Sequence, residues 1–166
     1  MNQHNPQEDN QMYVIGVDPG PVPGIVRLLL LQTDQTTLLD AQAVQVTPGV
    51  LPDALDALSG RMRQSIALER FVVGRRAARS ATPSAGAHTR DMVVTVTGWA
   101  RGRYPLHLRS AADVKPWATD ARLDAAGLLD LTKGMRHARD AARHALFCAV
   151  KDYGLPDPLS SRRGTR

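Results

Sequence analysis

The 166-residue sequence holds one cysteine, Cys148, which rules out an internal disulfide and a CxxC zinc pair. Cys148 sits in the apolar helical run Ala145 to Val150, which predicts a small core residue. Aromatics are scarce at 4%, although the hydrophobic fraction of 43% is ordinary for a globular domain. Long hydrophobic runs are missing as well. The longest strongly apolar run, Leu28 to Leu31, is far below the roughly 20 residues that cross a bilayer. Met1 to Gln11 is polar and lacks the apolar centre of a secretory signal. These absences predict a soluble, cytoplasmic protein with no membrane partner. They also predict a disordered tail over residues 1–11 and a flexible basic tail over 155–166. The length between them, 12–154, suits one domain.

Basic charge is missing from one half of the chain. Residues 1–60 carry Arg27 alone against seven acids, a net of −6, whereas residues 61–166 carry 20 basic residues against nine acids, a net of +11. Of the 21 basic residues 18 are arginine, the side chain suited to bidentate phosphate contacts. Coding bias accounts for arginine replacing lysine. It does not account for the placement, which points to a polyanionic partner, most simply nucleic acid.

The run Met12 to Gly20, MYVIGVDPG, organises the rest. Tyr13 to Val17 reads as a strand buried on both faces, ending at Asp18-Pro19-Gly20. A carboxylate there needs a partner: a helix N-terminus, a basic side chain or a metal ion. Alone, Asp-Pro-Gly is equally a simple turn. Strands Ile25 to Gln32 and Leu38 to Val46 follow on short loops, which implies an antiparallel meander. A helix is predicted over Leu51 to Arg63, a strand over Ser65 to Phe71, and a loop over Gly74 to Ser84 carrying Arg75, Arg76 and Arg79. Then come a helix over Ala87 to Ala100 and a strand over Tyr104 to Leu108. A helix over Ser110 to Ala126 follows, N-capped by Ser110 with Asp113 at its third position, and a last helix runs from Met135 to Asp152. The order predicts an α/β protein: a five-stranded mixed sheet with a three-strand antiparallel meander and helices on both faces. It matches the RNase H-like fold, whose first strand lies at the sheet centre.

Asp18 and Glu69 fall near the ends of the first and fourth strands, so neighbouring parallel strands would bring both to one sheet edge. Asp140 lies on the last helix with His137 three residues before it and His144 four after, on nearly one face. Carboxylates plus an imidazole suit one or two Mg²⁺ or Mn²⁺ ions, and paired ions serve phosphodiester cleavage. Taken singly, Glu69 could pair with an arginine, and His137 with Asp140 could be a solvated helix face.

At these residues the chain resembles the RuvC-type Holliday-junction resolvases, particularly virus- or prophage-borne members. The matching segments are Val14-Ile15-Gly16-Val17-Asp18-Pro19-Gly20, Ala67-Leu68-Glu69, Asp113-Val114-Lys115-Pro116 and His137-Ala138-Arg139-Asp140-Ala141. The family's small or hydroxyl residue and Thr-Gly in the first hairpin are replaced here by Pro21-Val22-Pro23-Gly24. The resemblance implies a homodimeric nuclease resolving four-way junctions in DNA recombination and repair, in a bacterial or virus-infected cytoplasm. It implies that Asp18, Glu69, Asp140 and His137 bind two Mg²⁺ or Mn²⁺ ions. It further implies that Lys115 stands near the scissile phosphate. Lys133 and Arg136, with the loop arginines, are the expected DNA contacts.

Three other readings stand beside it: a nuclease on flaps or RNA–DNA hybrids, a branched-DNA-binding protein without catalysis, and an actin-like ATPase. The chain is too short for the last. DNA binding should weaken steeply between about 50 and 200 mM salt, since each neutralised phosphate releases counterions. Neutralising Arg75, Arg76 and Arg79 together should lower affinity and leave the fold intact. A salt-independent affinity in an anisotropy titration would contradict the charge argument.

Overall fold

The computed structural model describes residues 10–71 and 83–160. Strand β1 (Gln11–Asp18) is the middle strand of a five-stranded sheet in the order β3-β2-β1-β4-β5. Strands β2 (Gly24–Leu31) and β3 (Thr37–Gln45) complete the expected antiparallel meander. Strand β4 (Arg63–Glu69) lies parallel to β1, and β5 (Leu106–Arg109) parallel to β4. The β1–β4 register pairs Met12 with Arg63 and Val17 with Leu68, so Asp18 and Glu69 are the next positions on adjacent strands.

The central strand has no solvent face because its alternate residues enter two cores. Met12 and Val14 pack with the face of α6 (Arg136–Tyr153). Tyr13, Ile15 and Val17 pack on the opposite side with α1 (Leu51–Leu58) and with Val96 and Ala100 of α2 (Pro83–Ala100). Helices therefore cover both faces. Among the described residues, no helix is long and apolar enough to cross a membrane.

Helix α6 sits unusually close to the sheet. It presents Ala138, Ala141, Ala142, Ala145 and Ala149, all buried, where longer side chains would hold it away. The sheet answers with glycine: a Cβ on Gly16 would lie 2.1 Å from the Ala141 carbonyl oxygen, and one on Gly24 2.1 Å from the His137 carbonyl carbon. Glycine inside a strand marks such a backbone approach.

Several boundaries differ from the sequence pattern. Helix α1 stops at Leu58, with Ser59 extended, because β4 already begins at Arg63. Helix α2 starts at Pro83, a favoured first-turn residue, rather than at Ala87. The single helix expected over Ser110 to Ala126 is two short ones, α3 (Ala111–Val114) and α4 (Asp120–Ala125). Pro116 has no amide hydrogen and restricts the residue before it, which ends the first piece. Its capping box is present: Ser110 Oγ accepts from the Asp113 amide, and the Asp113 carboxylate accepts from the Ser110 amide at 3.0 Å. Gly127, at φ 73°, stops α4, and an unforeseen turn of helix, α5 (Leu128–Leu131), follows.

The packed chain reaches past both expected tail boundaries. Gln11 already pairs with Leu31 in the sheet. Leu155 is buried in the α6 core, and Asp157 accepts from Arg122 at 2.9–3.1 Å, so the chain stays packed beyond Gly154. Filling the gap at Gly16 tests this architecture. Gly16→Ala should destabilise by about 1–3 kcal/mol or more in urea unfolding, the cost of overpacking. Gly49→Ala, with nothing within 4 Å of the added Cβ, should change stability little.

Candidate active site

Asp18 emerges at the carboxyl end of β1, only 7% exposed. Of the three partners the sequence left open, the one it meets is basic: His137 Nδ1, 2.7 Å from Asp18 Oδ2. A carboxylate accepts, so Nδ1 carries the proton in this contact and Nε2 is left for other use. The imidazole is held from two sides. A Cβ on Gly20 would strike its ring, and the His137 amide donates to Gln45 Oε1 at 2.7 Å. Gln45 also accepts from the Ala138 amide at 3.3 Å. The last residue of β3 thereby serves the start of α6, where Met135 makes no side-chain cap of its own.

Glu69, at the end of β4, meets α6 two turns beyond His137. Its Oε2 lies 3.2 Å from Nε2 of the buried His144, yet the two atoms are not aligned and neither makes a hydrogen bond. Asp140 is held by cations instead: Lys115 Nζ donates to Oδ2 at 3.0 Å and Arg143 to Oδ1 at 2.5 Å. Arg143 also bonds the Asp120 carboxylate and the Ala118 carbonyl oxygen.

The electrostatics separate the two aspartates. Burial pushes the Asp18 carboxyl above its ordinary range; the His137 contact opposes this, while the charges of Glu69 and Asp140 add to the rise. Burial acts on Asp140 in the same sense but is overcome by Lys115 and Arg143, which hold its carboxyl below the usual range. Three carboxylates thus share a site too poor in cations for the one at its centre.

The sequence-predicted residues fall in four places. Asp18 with His137, Glu69 with His144, and Asp140 with Lys115 come together where α6 crosses the ends of β1 and β4. Arg136 lines a cavity of about 440 Å³ with Lys115, Arg139, Asp140 and Arg143. Lys133 is exposed and lies outside that lining, because Gly134 separates it from α6. Arg75, Arg76 and Arg79 lie outside the described residues. The expected four ligands do not form the tightest cluster: among the described residues, the ligand atoms that all lie within 4.8 Å of one another belong to His107, Cys148 and Asp152.

Sequence reasoning missed Gln45, Arg139 and Arg143. Gly16, inside an apolar strand, was the legible sign that another backbone comes close there. Nothing local marked Gln45, since it acts across 92 residues.

Sheet order and helical layers place the chain in the RNase H-like class of α/β folds. Among solved structures it is similar to RuvC of T. thermophilus in complex with a Holliday junction substrate, at a TM-score of 0.53 and 18% identity over 93% of this chain and 98% of that one. No family model matches the sequence, and no curated protein does.

The raised Asp18 carboxyl has a measurable consequence. The folded protein holds this proton more tightly than the unfolded chain, so the stabilisation is full below the ordinary carboxylate range and is lost as pH rises through the folded value. At pH 7 Asp18 is a cost. Asp18→Asn should therefore raise the melting temperature of metal-free protein by a few degrees at pH 7, and the gain should shrink as pH falls below about 4. Added Mg²⁺ or Mn²⁺ should raise the melting temperature of the wild type and leave Asp18→Asn nearly unmoved.

Proposed function

We propose that this chain is a divalent-metal-dependent DNA endonuclease that cuts four-way junctions, a RuvC-like enzyme working as a homodimer. The observation that carries this reading is the convergence on Asp18: a buried carboxyl raised by burial and by two further carboxylates, Glu69 and Asp140. The resemblance over its motif segments and the fold shared with a junction-bound RuvC support the choice of substrate.

The donor set fits hard cations. Asp18, Glu69 and Asp140 supply carboxylate oxygens, and Glu69 Oε2 is buried without a hydrogen bond. These three and His137 would hold Mg²⁺ or Mn²⁺. Bound there, such ions lower the pKa of water and stabilise the charge that develops at the phosphate.

The chain's own residues do the rest. His137, fixed through Nδ1 by Asp18, keeps Nε2 as its one lone pair, which would complete the ligand set. Lys115 is 43% exposed and reaches Asp140 through a long flexible stem, so it can transfer to a substrate phosphate. Arg136 and Arg139, in the same cavity, bind backbone phosphates and fix the register of the DNA without reading sequence. Arg143 stays on Asp140 and Asp120 and positions that carboxylate.

The decisive measurement compares a mobile four-way junction with flap, linear duplex and RNA–DNA hybrid in Mg²⁺ or Mn²⁺. Wild type should cut the junction preferentially. Asp18→Asn should lose cleavage by at least about 10³-fold while binding the junction with similar affinity. Failure to nick any branched DNA would overturn the proposal, and preferential cutting of the hybrid would replace the substrate.

A further inference from the structure

The far end of α6 carries a second cluster that the proposed nuclease does not use. His107 lies on β5, while Cys148 and Asp152 lie one turn apart on α6, about 12–18 Å along the helix from Asp140. Ligand atoms of these three residues all lie within 4.8 Å of one another. They are one imidazole, one thiol and one carboxylate, contributed by two elements that pack together.

Outside partners hold one atom of His107 and one of Asp152 and leave the other toward the cluster, where Asp152 also accepts from the Cys148 thiol and Arg109 lies beside the sulfur. Tyr153 Oη lies 3.3 Å from His107 Nε2, which directs the ring's other nitrogen, Nδ1, toward Asp152. Arg109 donates to Asp152 Oδ1 at 2.8 Å and leaves Oδ2. His107 Nδ1 and Asp152 Oδ2 stand 3.5 Å apart. That is long for a hydrogen bond. It is the spacing of two ligands on one tetrahedral cation with bonds of about 2.0–2.1 Å, which puts them roughly 3.3–3.5 Å apart. A hydrogen-bonded neighbour on each outward atom is the usual support of a metal-binding histidine or carboxylate.

We propose that His107 Nδ1, Cys148 Sγ and Asp152 Oδ2 form a cation site for Zn²⁺ or another borderline-soft dication, tying β5 to α6. Thiolate and imidazole select such ions over Mg²⁺. Three protein ligands leave a fourth position for water. Burial pushes the Cys148 thiol up to about 12, so the cation binds by displacing the thiol proton, which leaves to solvent as the sulfur–cation bond forms. His107 and Asp152 are partly exposed and give the ion a way in from the side where Cys148 is closed.

The site does not rest on the nuclease reading, and its test is separate from cleavage. Full-length protein is titrated with Co²⁺ alone, with Zn²⁺ alone, and with Zn²⁺ after one equivalent of Co²⁺. One equivalent of Co²⁺ should give thiolate-to-metal charge-transfer absorption, Zn²⁺ should bleach it, and one proton should be released per ion. Zn²⁺ should also raise the melting temperature. His107→Ala and Asp152→Asn should weaken Zn²⁺ binding at least tenfold, Cys148→Ala should remove the absorption, and Asp18→Asn should leave it unchanged. Should Cys148→Ala fail to fold, the two partly exposed positions still carry the test. No charge-transfer band in the wild type, or Zn²⁺ binding undiminished in both His107→Ala and Asp152→Asn, overturns the proposal.

Discussion

The contact on which the structure depends is the seating of α6 against β1 and β2 at nearly backbone-to-backbone distance. Alanines on the helix meet Gly16 and Gly24 on the sheet, and no side chain could occupy the space between Ala141 and Gly16. Dispersion between closely packed atoms and loss of apolar surface to water hold this seam. Because it is tight, it has one solution: the helix cannot slide or roll without driving an alanine into the strand. That rigidity sets the position of every side chain on the helix, from His137 at its start to Asp152 near its end.

A second constraint is electrostatic and works against stability. Asp18 is nearly buried among other carboxylates and receives a single imidazole as compensation. Asp140 is paired with Lys115 and with Arg143, which also binds Asp120. Cations are thus available in this region but are held off the central carboxyl. Such stored cost is typical of sites whose missing charge arrives with a ligand. The seam makes it tolerable, since the surrounding core is dense enough to hold an unfavourable group in place.

The two ends of α6 divide the chemistry by hardness. At the amino-terminal end the donors are carboxylate oxygens with one imidazole; at the carboxyl-terminal end they are a thiol, an imidazole and a carboxylate. The same rigid helix supplies His137 and Asp140 beside the ends of β1 and β4, and Cys148 and Asp152 beside the edge strand β5. Gln45 accepts from the backbone amides of His137 and Ala138 at one end, and Tyr153, the last residue of α6, meets the His107 ring at the other.

What the sequence determined by itself was the periodic and the local. Apolar alternation and turn residues marked the meander, the central β1 and the long α6, and the Ser110–Asp113 capping box follows from four adjacent residues. Asp18 and Glu69 stood out as candidates because each ends an apolar strand, whereas His137 and Asp140 drew notice by their three-residue spacing and by the resemblance. Tertiary structure alone decided which carboxylate is strained and which is satisfied, since Lys115 reaches Asp140 across 25 residues and Gln45 reaches α6 across 92. It also decided that a helix-length pattern over Ser110 to Ala126 breaks at Pro116, and that Cys148, a plain core residue by its neighbours, faces His107 and Asp152. The reason is the same throughout: hydrophobic periodicity acts over a few residues, whereas charge, desolvation and close packing are set by whatever the fold brings within a few ångströms.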